Sequence, residues 1–217
     1  MKTEALKIYR LLKEHYPRAR IALQYKSPWE LLVATVLSAQ CTDKRVNMVT
    51  EKIFAKYRSV KEYAAADINE FENDIRSTGF FRNKSRNILD SAKIILKKHK
   101  GEVPRTMEEL TALPGIGRKT ANIISSNAFG KIFGIAVDTH VGRLSQRLGL
   151  SGCKDPLKIE QDLMRLFPKK DWGRISYLFI EHGRAVCAAR KPDCDICFLN
   201  KLCTFQGDSP HLRPTGP

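Results

Sequence analysis

Leu113-Pro114-Gly115-Ile116-Gly117-Arg118-Lys119-Thr120-Ala121 joins two segments of helical character. Before it, residues 106–112 read as a short helix, opened by Thr106 with Glu109 three positions on, the spacing of a capping box. After it, apolar periodicity carries a second helix over about 118–128. Two glycines around one apolar residue predict a tight turn that exposes consecutive backbone N–H groups at the start of that helix. Such a terminus carries unpaired donors and partial positive charge, which suit a phosphate. Ile116 is expected to tuck between the two helices. An ordinary helix–turn–helix corner has the same Pro and Gly punctuation, but Arg118 and Lys119 directly behind it favour contact with a DNA backbone.

Outward from the turn the pattern stays helical. Ile88, Leu89, Ala92, Ile95 and Leu96 recur at helix spacing, with Gly101 as a stop just beyond. Ser27-Pro28-Trp29-Glu30 is a further capping box with proline at the first helical position. Asp67 with Glu70 repeats the offset, Asp155-Pro156 opens another helix, and Asp43 is expected to cap a helix through Val46 and Val49. No alternating strand pattern with hairpin turns is visible. The expected fold class is all-α, with about ten short helices.

Composition bounds the function. The chain has 217 residues, enough for a real core, and 42% apolar with 28% charged residues excludes wholesale disorder. The longest uncharged apolar run, Leu31 to Ala39, spans nine residues, too short to cross a bilayer, so no membrane partner is expected. The start of the chain turns acidic at Glu4 without an apolar stretch, so no secretory signal is read and an intracellular protein is expected. Lys and Arg number 38 against 23 Asp and Glu, a formal charge of +15. An excess of that size suits a polyanion, nucleic acid first, although a merely well-solvated surface has the same arithmetic.

Three features carry chemistry. Lys119 is either a phosphate contact or an amine that, once deprotonated, attacks carbon and forms a Schiff base. Asp138, in Val137-Asp138-Thr139-His140-Val141, precedes a helix with Val141, Leu144 and Leu148 on its apolar face. It is read as that helix's N-cap and as a fixed carboxylate that faces Lys119; capping would orient it for the second role. Cys187, Cys194, Cys197 and Cys203 follow C-x6-C-x2-C-x5-C. In a reducing compartment four such thiols suggest an iron–sulfur cluster or tetrahedral zinc, and spacing alone leaves both open. Cys41 and Cys153 fall outside the pattern and read as small buried hydrophobes.

Taken together, residues 113–121, residues 137–141 and the four cysteines resemble the endonuclease III family of the helix-hairpin-helix superfamily, DNA N-glycosylases with lyase activity. The similarity runs from Trp29 to Cys203, through Leu37-Ser38-Ala39-Gln40, Thr42-Asp43 and Gly79-Phe80 to Lys84. It implies two helical domains around a DNA-binding cleft: residues 22–132 as a helical bundle with the hairpin, and residues 1–21 plus 133–207 as a cluster domain. The tail, 208–217, is expected to be disordered. The resemblance further implies Lys119 as nucleophile, Asp138 as its assistant, and a [4Fe–4S] cluster on the four cysteines that holds Arg190 and Lys191 toward phosphates. DNA contacts are expected from Leu113, Gly115, Gly117, Arg118, Thr139 and His140, with Arg82 and Lys84 on a phosphate rim. His140 reads equally as a structural partner of the Asp138 turn.

The implied substrate is double-stranded DNA with a damaged base or an abasic site, and the implied lesions are oxidised pyrimidines. The base is flipped out, and the resemblance implies Gln40 and Phe80 as the side chains that fill the vacated stack, while spacing alone leaves open which of Phe80 and the adjacent Phe81 points into the core. Relatives often carry leucine at the Phe80 position. A monomer in the cytoplasm of a prokaryote, associated with the nucleoid, is expected. Within the superfamily, an adenine-removing branch needs a glutamate in the helix before Gln40, where Val33-Ala34-Thr35-Val36-Leu37 has no carboxylate. A mismatch-specific monofunctional enzyme lacks the lysine, the 8-oxoguanine branch typically lacks the cysteines, and a non-catalytic DNA-binding iron–sulfur module leaves Lys119 and Asp138 without purpose.

Overall fold

The computed structural model describes residues 2–205; Met1 and residues 206–217, which include the tail expected to be disordered, lie outside the described residues. Eleven α-helices and three short 3-10 turns account for the regular structure, with no strand among the described residues. None of these helices is long and apolar enough to cross a membrane. The chain divides into two compact units, Ala22–Phe133 and the combination of Met1–Ile21 with Gly134–Pro217.

Helix α1 (Lys2–His15) belongs to the second of these units, and the chain then enters the first. There α2 (Pro28–Leu37) is capped by the Ser27 hydroxyl, which accepts the Glu30 N–H at 3.2 Å. Trp29 and residues 31–37 of α2 are all buried, as befits a helix apolar on every side. It packs on α3 (Asp43–Lys56) and on two later helices. Thr42, not Asp43, caps α3: its hydroxyl accepts the Arg45 N–H at 3.3 Å, and Asp43 is the first helical residue. Helices α4 (Val60–Ala65) and α5 (Ile68–Ile75) follow, the latter capped by Asp67 through the Glu70 N–H at 2.9 Å.

A 3-10 turn, Arg76–Thr78, leads into α6 (Phe81–His99), which buries Ile88, Leu89, Ala92 and Ile95. Lys100 and Gly101 end α6 with positive φ, and the Gly101 N–H bonds the Ile95 carbonyl at 3.1 Å. Helices α7 (Met107–Thr111) and α8 (Arg118–Phe129) complete the unit, and α8 packs on α2. Each large aliphatic side chain of α2 removed from water is worth about 1.5–3 kcal/mol, so burial of Leu31, Leu32, Val33, Val36 and Leu37 stabilises this unit.

The other unit gathers α1, α9 (Thr139–Arg147), α10 (Pro156–Leu166) and α11 (Trp172–Ala185). Its core is built from Ile8 and Leu12 of α1, Val141 and Leu144 of α9, Ile159 and Leu163 of α10, and Ile175, Leu178 and Phe179 of α11. The Tyr9 hydroxyl, on α1, donates to Asp171 just ahead of α11 at 2.8 Å. Gly183 lets α11 lie close on α9: a Cβ there would stand 2.7 Å from His140 Nδ1 and 2.9 Å from Arg143 Nη2.

Candidate nucleic-acid interface and cysteine site

The hairpin lies wholly within the Ala22–Phe133 unit. Thr106 caps α7 by accepting the Glu109 N–H at 3.2 Å. Leu113 and Ile116 are each 3% exposed and seal the space between α7 and α8. The Leu113 side chain therefore cannot meet a phosphate, and this corrects its expected DNA contact: only its main chain remains for one. The two glycines differ. Gly115 has φ +74, and an added Cβ would collide with the side-chain amide of Asn87 on α6. Gly117 has φ −84, an ordinary extended conformation, so the turn itself needs only the first glycine.

Around Gly117 a Cβ would meet nothing within 4 Å. As the N-cap of α8 it supplies no side chain to the first turn. The helix start is thus left with donors that a phosphate can accept from. Arg118 and Lys119, the first two residues of α8, are exposed beside it, and Ser91 Oγ donates to the Pro114 carbonyl at 3.4 Å to anchor the turn on α6.

Gln40 and Phe80, expected to fill the stack, sit in the same unit and share a rare backbone state. Their φ values are +53 and +48, and both side chains are exposed, Phe80 by 63%. Phe81 turns the other way and is half-buried, with the Arg76 and Arg82 guanidiniums each 5.7 Å from its ring. Arg82 is exposed. Lys84 is not on a phosphate rim: it is 4% exposed, and its ammonium donates to the Leu37 carbonyl at 2.9 Å and the Thr78 carbonyl at 2.8 Å. Burial lowers its pKa from the ordinary lysine value, with a partial opposing pull from Cys41.

In the other unit, Asp138 is extended at φ −108 and caps α9, its Oδ1 accepting the Val141 N–H at 2.8 Å. Ile135 and Val137 are buried ahead of it, and Ser176 Oγ donates to the Ala136 carbonyl at 2.8 Å. The half-buried carboxylate is therefore held by its own helix and by the seated loop that leads into it. Thr139 is exposed at the first position of α9. His140 packs on Arg143, with Nη2 3.2 Å from its Nδ1, which favours the structural role for this ring.

Cys187, Cys194, Cys197 and Cys203 line one hollow, together with Leu144, Arg147 and His182. Cys41 and Cys153 lie outside it and are half-buried. Arg147, at the end of α9, fastens the loop from both sides. Its guanidinium donates to Cys187 Sγ at 3.2 Å, the Ala188 carbonyl at 2.8 Å and the Ala189 carbonyl at 2.9 Å. Its own carbonyl accepts the Thr204 N–H at 3.1 Å and the Cys203 thiol at 3.2 Å. Arg143 donates to the Cys187 carbonyl at 3.0 Å, and Asn200 Nδ2 to the Cys194 carbonyl at 3.0 Å.

Burial first, then neighbouring thiols, raises the Cys194, Cys197 and Cys203 pKa values. His182 is buried with Nε2 3.5 Å from Cys197 Sγ, and desolvation, helped by His15, pushes it down to about 4. No three His, Cys, Asp or Glu side chains among the described residues converge tightly enough to hold one metal ion. Arg190 and Lys191 project as exposed cations from the loop between Cys187 and Cys194. Arg143, Arg147 and His182 are site residues that sequence reasoning does not find; the two arginines follow His140 at helical spacing, which any solvated helix can also show, and His182 carries no such signal.

Residues 33–169 match the family profile of the HhH-GPD superfamily base excision DNA repair proteins. The chain is 54% identical to endonuclease III of Synechocystis sp. over 93% of its length and 92% of the relative's. To endonuclease III of Bacillus subtilis it is 48% identical, over 87% of this chain and 86% of the other. A solved structure described as a trapped endonuclease III–DNA covalent intermediate, an estranged-adenine complex, superposes with a TM-score of 0.90 at 45% identity, covering 94% of this chain and 96% of that one. With the all-helical fold and the glycine hairpin in the matched region, this chain belongs to the endonuclease III family of HhH-GPD base excision DNA repair proteins.

Proposed function

We infer that this chain is a base-excision-repair DNA N-glycosylase that also acts as an AP lyase, and we propose oxidised pyrimidines in double-stranded DNA as its substrates. The observation that carries the reading is Lys119: an exposed amine at the second position of α8, behind a glycine turn with no side-chain cap. The trapped covalent complex of a 45% identical relative supports a nucleophile in this chain.

In the proposed sequence, the backbone N–H groups around Gly115 and Gly117, with Arg118, grip a phosphate, and the damaged nucleotide leaves the stack. As the glycosidic C1′–N bond breaks, the sugar develops positive charge that a preorganised carboxylate stabilises, the role given to Asp138. Lys119 Nζ, as the neutral amine, bonds to C1′ as the C1′–N bond to the base breaks; the base leaves with that electron pair and takes up the proton the amine gives up. The nitrogen lone pair then forms a C1′=N iminium as the C1′–O4′ bond breaks, and O4′ takes a proton from water. Removal of a 2′ proton then expels the 3′ phosphate, which cuts the strand 3′ to the lesion.

The cysteine hollow fits a [4Fe–4S] cluster. The four thiols are half-buried around one hollow, and burial raises the pKa values of Cys194, Cys197 and Cys203, so a cation among them is what would favour thiolates. When bound, the cluster supplies a rigid crosslink of the loop. Cys187, Cys194, Cys197 and Cys203 would hold it, while Arg147 and Arg143 orient the Cys187 end, leaving Arg190 and Lys191 to meet phosphates. We place the protein, as a monomer, with DNA in the bacterial cytoplasm.

The test is reductive trapping. Borohydride should link the protein covalently to abasic duplex DNA, and Lys119→Ala should abolish the adduct; equal trapping removes Lys119 from the mechanism. A panel of duplexes with thymine glycol, dihydrouracil, 8-oxoguanine, A:G, T:G and a bare abasic site then reads the preference. Fast cleavage of the first two and slow excision of the mismatches is expected.

A further inference from the structure

Among the described residues Lys84 is the single lysine or arginine that is buried. A buried ammonium is costly unless its protons are taken up, and here two main-chain carbonyls do so, Leu37 at 2.9 Å and Thr78 at 2.8 Å. Their positions are informative. Leu37 is the last residue of α2 and Thr78 the last of the 3-10 turn before α6. Three residues beyond Leu37 comes Gln40 at φ +53; two beyond Thr78 comes Phe80 at φ +48, after Gly79 at φ +69.

Non-glycine residues seldom take positive φ, and such strain persists only where the surroundings over-determine it. Three do so among the described residues. Lys100 merely ends a helix, while the other two are the exposed side chains that follow the carbonyls held by Lys84. An ammonium suits this task, since it has three donors and no acceptor, and both carbonyls end helical segments whose dipoles turn negative there. Leu37 and Lys84 are 47 residues apart in the chain, so this one side chain ties two distant loops together.

We propose that Lys84 is a positioning residue that fixes the Gln40 and Phe80 loops as one two-pronged wedge for opening the DNA stack. The inference rests on the reading that Gln40 and Phe80 fill the space left by the flipped nucleotide. Lys84 touches neither DNA nor sugar in this role; it acts through the backbone on either side.

The experiment compares two rates on the same protein sample: excision of dihydrouracil from a fully paired duplex, and β-elimination at a preformed abasic site, where no base must be unstacked. Their ratio does not depend on the fraction of folded protein. Lys84→Met should lower the ratio about tenfold or more, since small misplacements of positioning groups cost up to ~100-fold, and should blunt the fluorescence rise of 2-aminopurine placed opposite the lesion. Lys84→Arg, which keeps donors, should recover part of the ratio. If Lys84→Met fails to fold, Lys84→Gln reads the same quantity. An unchanged ratio overturns the proposal, and so does an equal fall in both rates. Gln40→Ala and Phe80→Ala separate the two levels: if neither lowers the ratio, the wedge reading itself fails and Lys84 has nothing to position. If they lower it and the Lys84 variants do not, Lys84 alone is wrong.

Discussion

The carboxylate of Asp138 accepts the backbone N–H of Val141 at 2.8 Å, so the group assigned to charge stabilisation is also the N-cap of α9. The two roles can be separated. Asparagine caps a helix about as well as aspartate, so Asp138→Asn should melt within about 2 °C of wild type while excision falls roughly 10²–10³-fold, the scale of losing one electrostatic stabiliser. Asp138→Ala should lose the cap as well, at about 1 kcal/mol. Thermal melting and single-turnover kinetics check both.

The hairpin glycines should respond differently to a methyl group. Gly115→Ala meets positive φ and the Asn87 amide together, and is expected to cost about 1–3 kcal/mol and lower the melting temperature. Gly117→Ala has open space and ordinary φ. It should leave the melting temperature nearly unchanged and weaken binding to an uncleavable abasic-site analogue, because the methyl projects where a phosphate would dock. A melting loss in Gly117→Ala equal to that in Gly115→Ala would contradict the assignment.

With a formal charge of +15, DNA affinity should fall steeply with salt. A plot of log K against log [salt] is expected to have a slope of about −0.9 per phosphate neutralised. Arg118→Ala, Arg190→Ala and Lys191→Ala should each flatten it by roughly one such increment, whereas Lys84→Met should leave the slope unchanged because that ammonium is buried. Titrations at several salt concentrations decide this.

Purified protein should be yellow-brown and contain about four irons per chain. Cys203→Ser should be colourless or lose iron readily. Arg147→Ala, which removes the bonds to Cys187 Sγ, Ala188 and Ala189, should hold iron roughly 10–100-fold less tightly. Visible absorbance and metal analysis during chelator challenge provide the measurement, and zinc in place of iron would refute the cluster.

What the sequence discloses is local. Ser27, Asp67 and Thr106 cap the helices that their three-residue offsets predict, and Asp155 the one that its following proline predicts, because a cap is decided within one turn of chain. Thr42 displaces Asp43 as a cap by one position, a choice between neighbouring oxygens that composition does not settle. Lys84 deceives for the opposite reason. Beside Arg82 it reads as part of a basic surface, yet its partners are set by the packing of α2, the 3-10 turn and α6. The clasp by Arg147 is equally remote, reaching residues 40 to 42 positions away. Leu113 shows the limit of motif reading: a residue in a DNA-binding signature can serve it entirely from inside the core.

The unit that contains α1 is completed only after more than a hundred residues of the other unit have been made. At typical synthesis rates of about 5–20 residues per second, the apolar stripe Ala5, Ile8 and Leu12 waits on the order of ten seconds for α10 and α11. Meanwhile Ala22–Phe133 emerges as one uninterrupted piece. A nascent chain on the ribosome should therefore acquire its lysine-bearing half first, with the leading helix a latecomer that docks once translation nears its end.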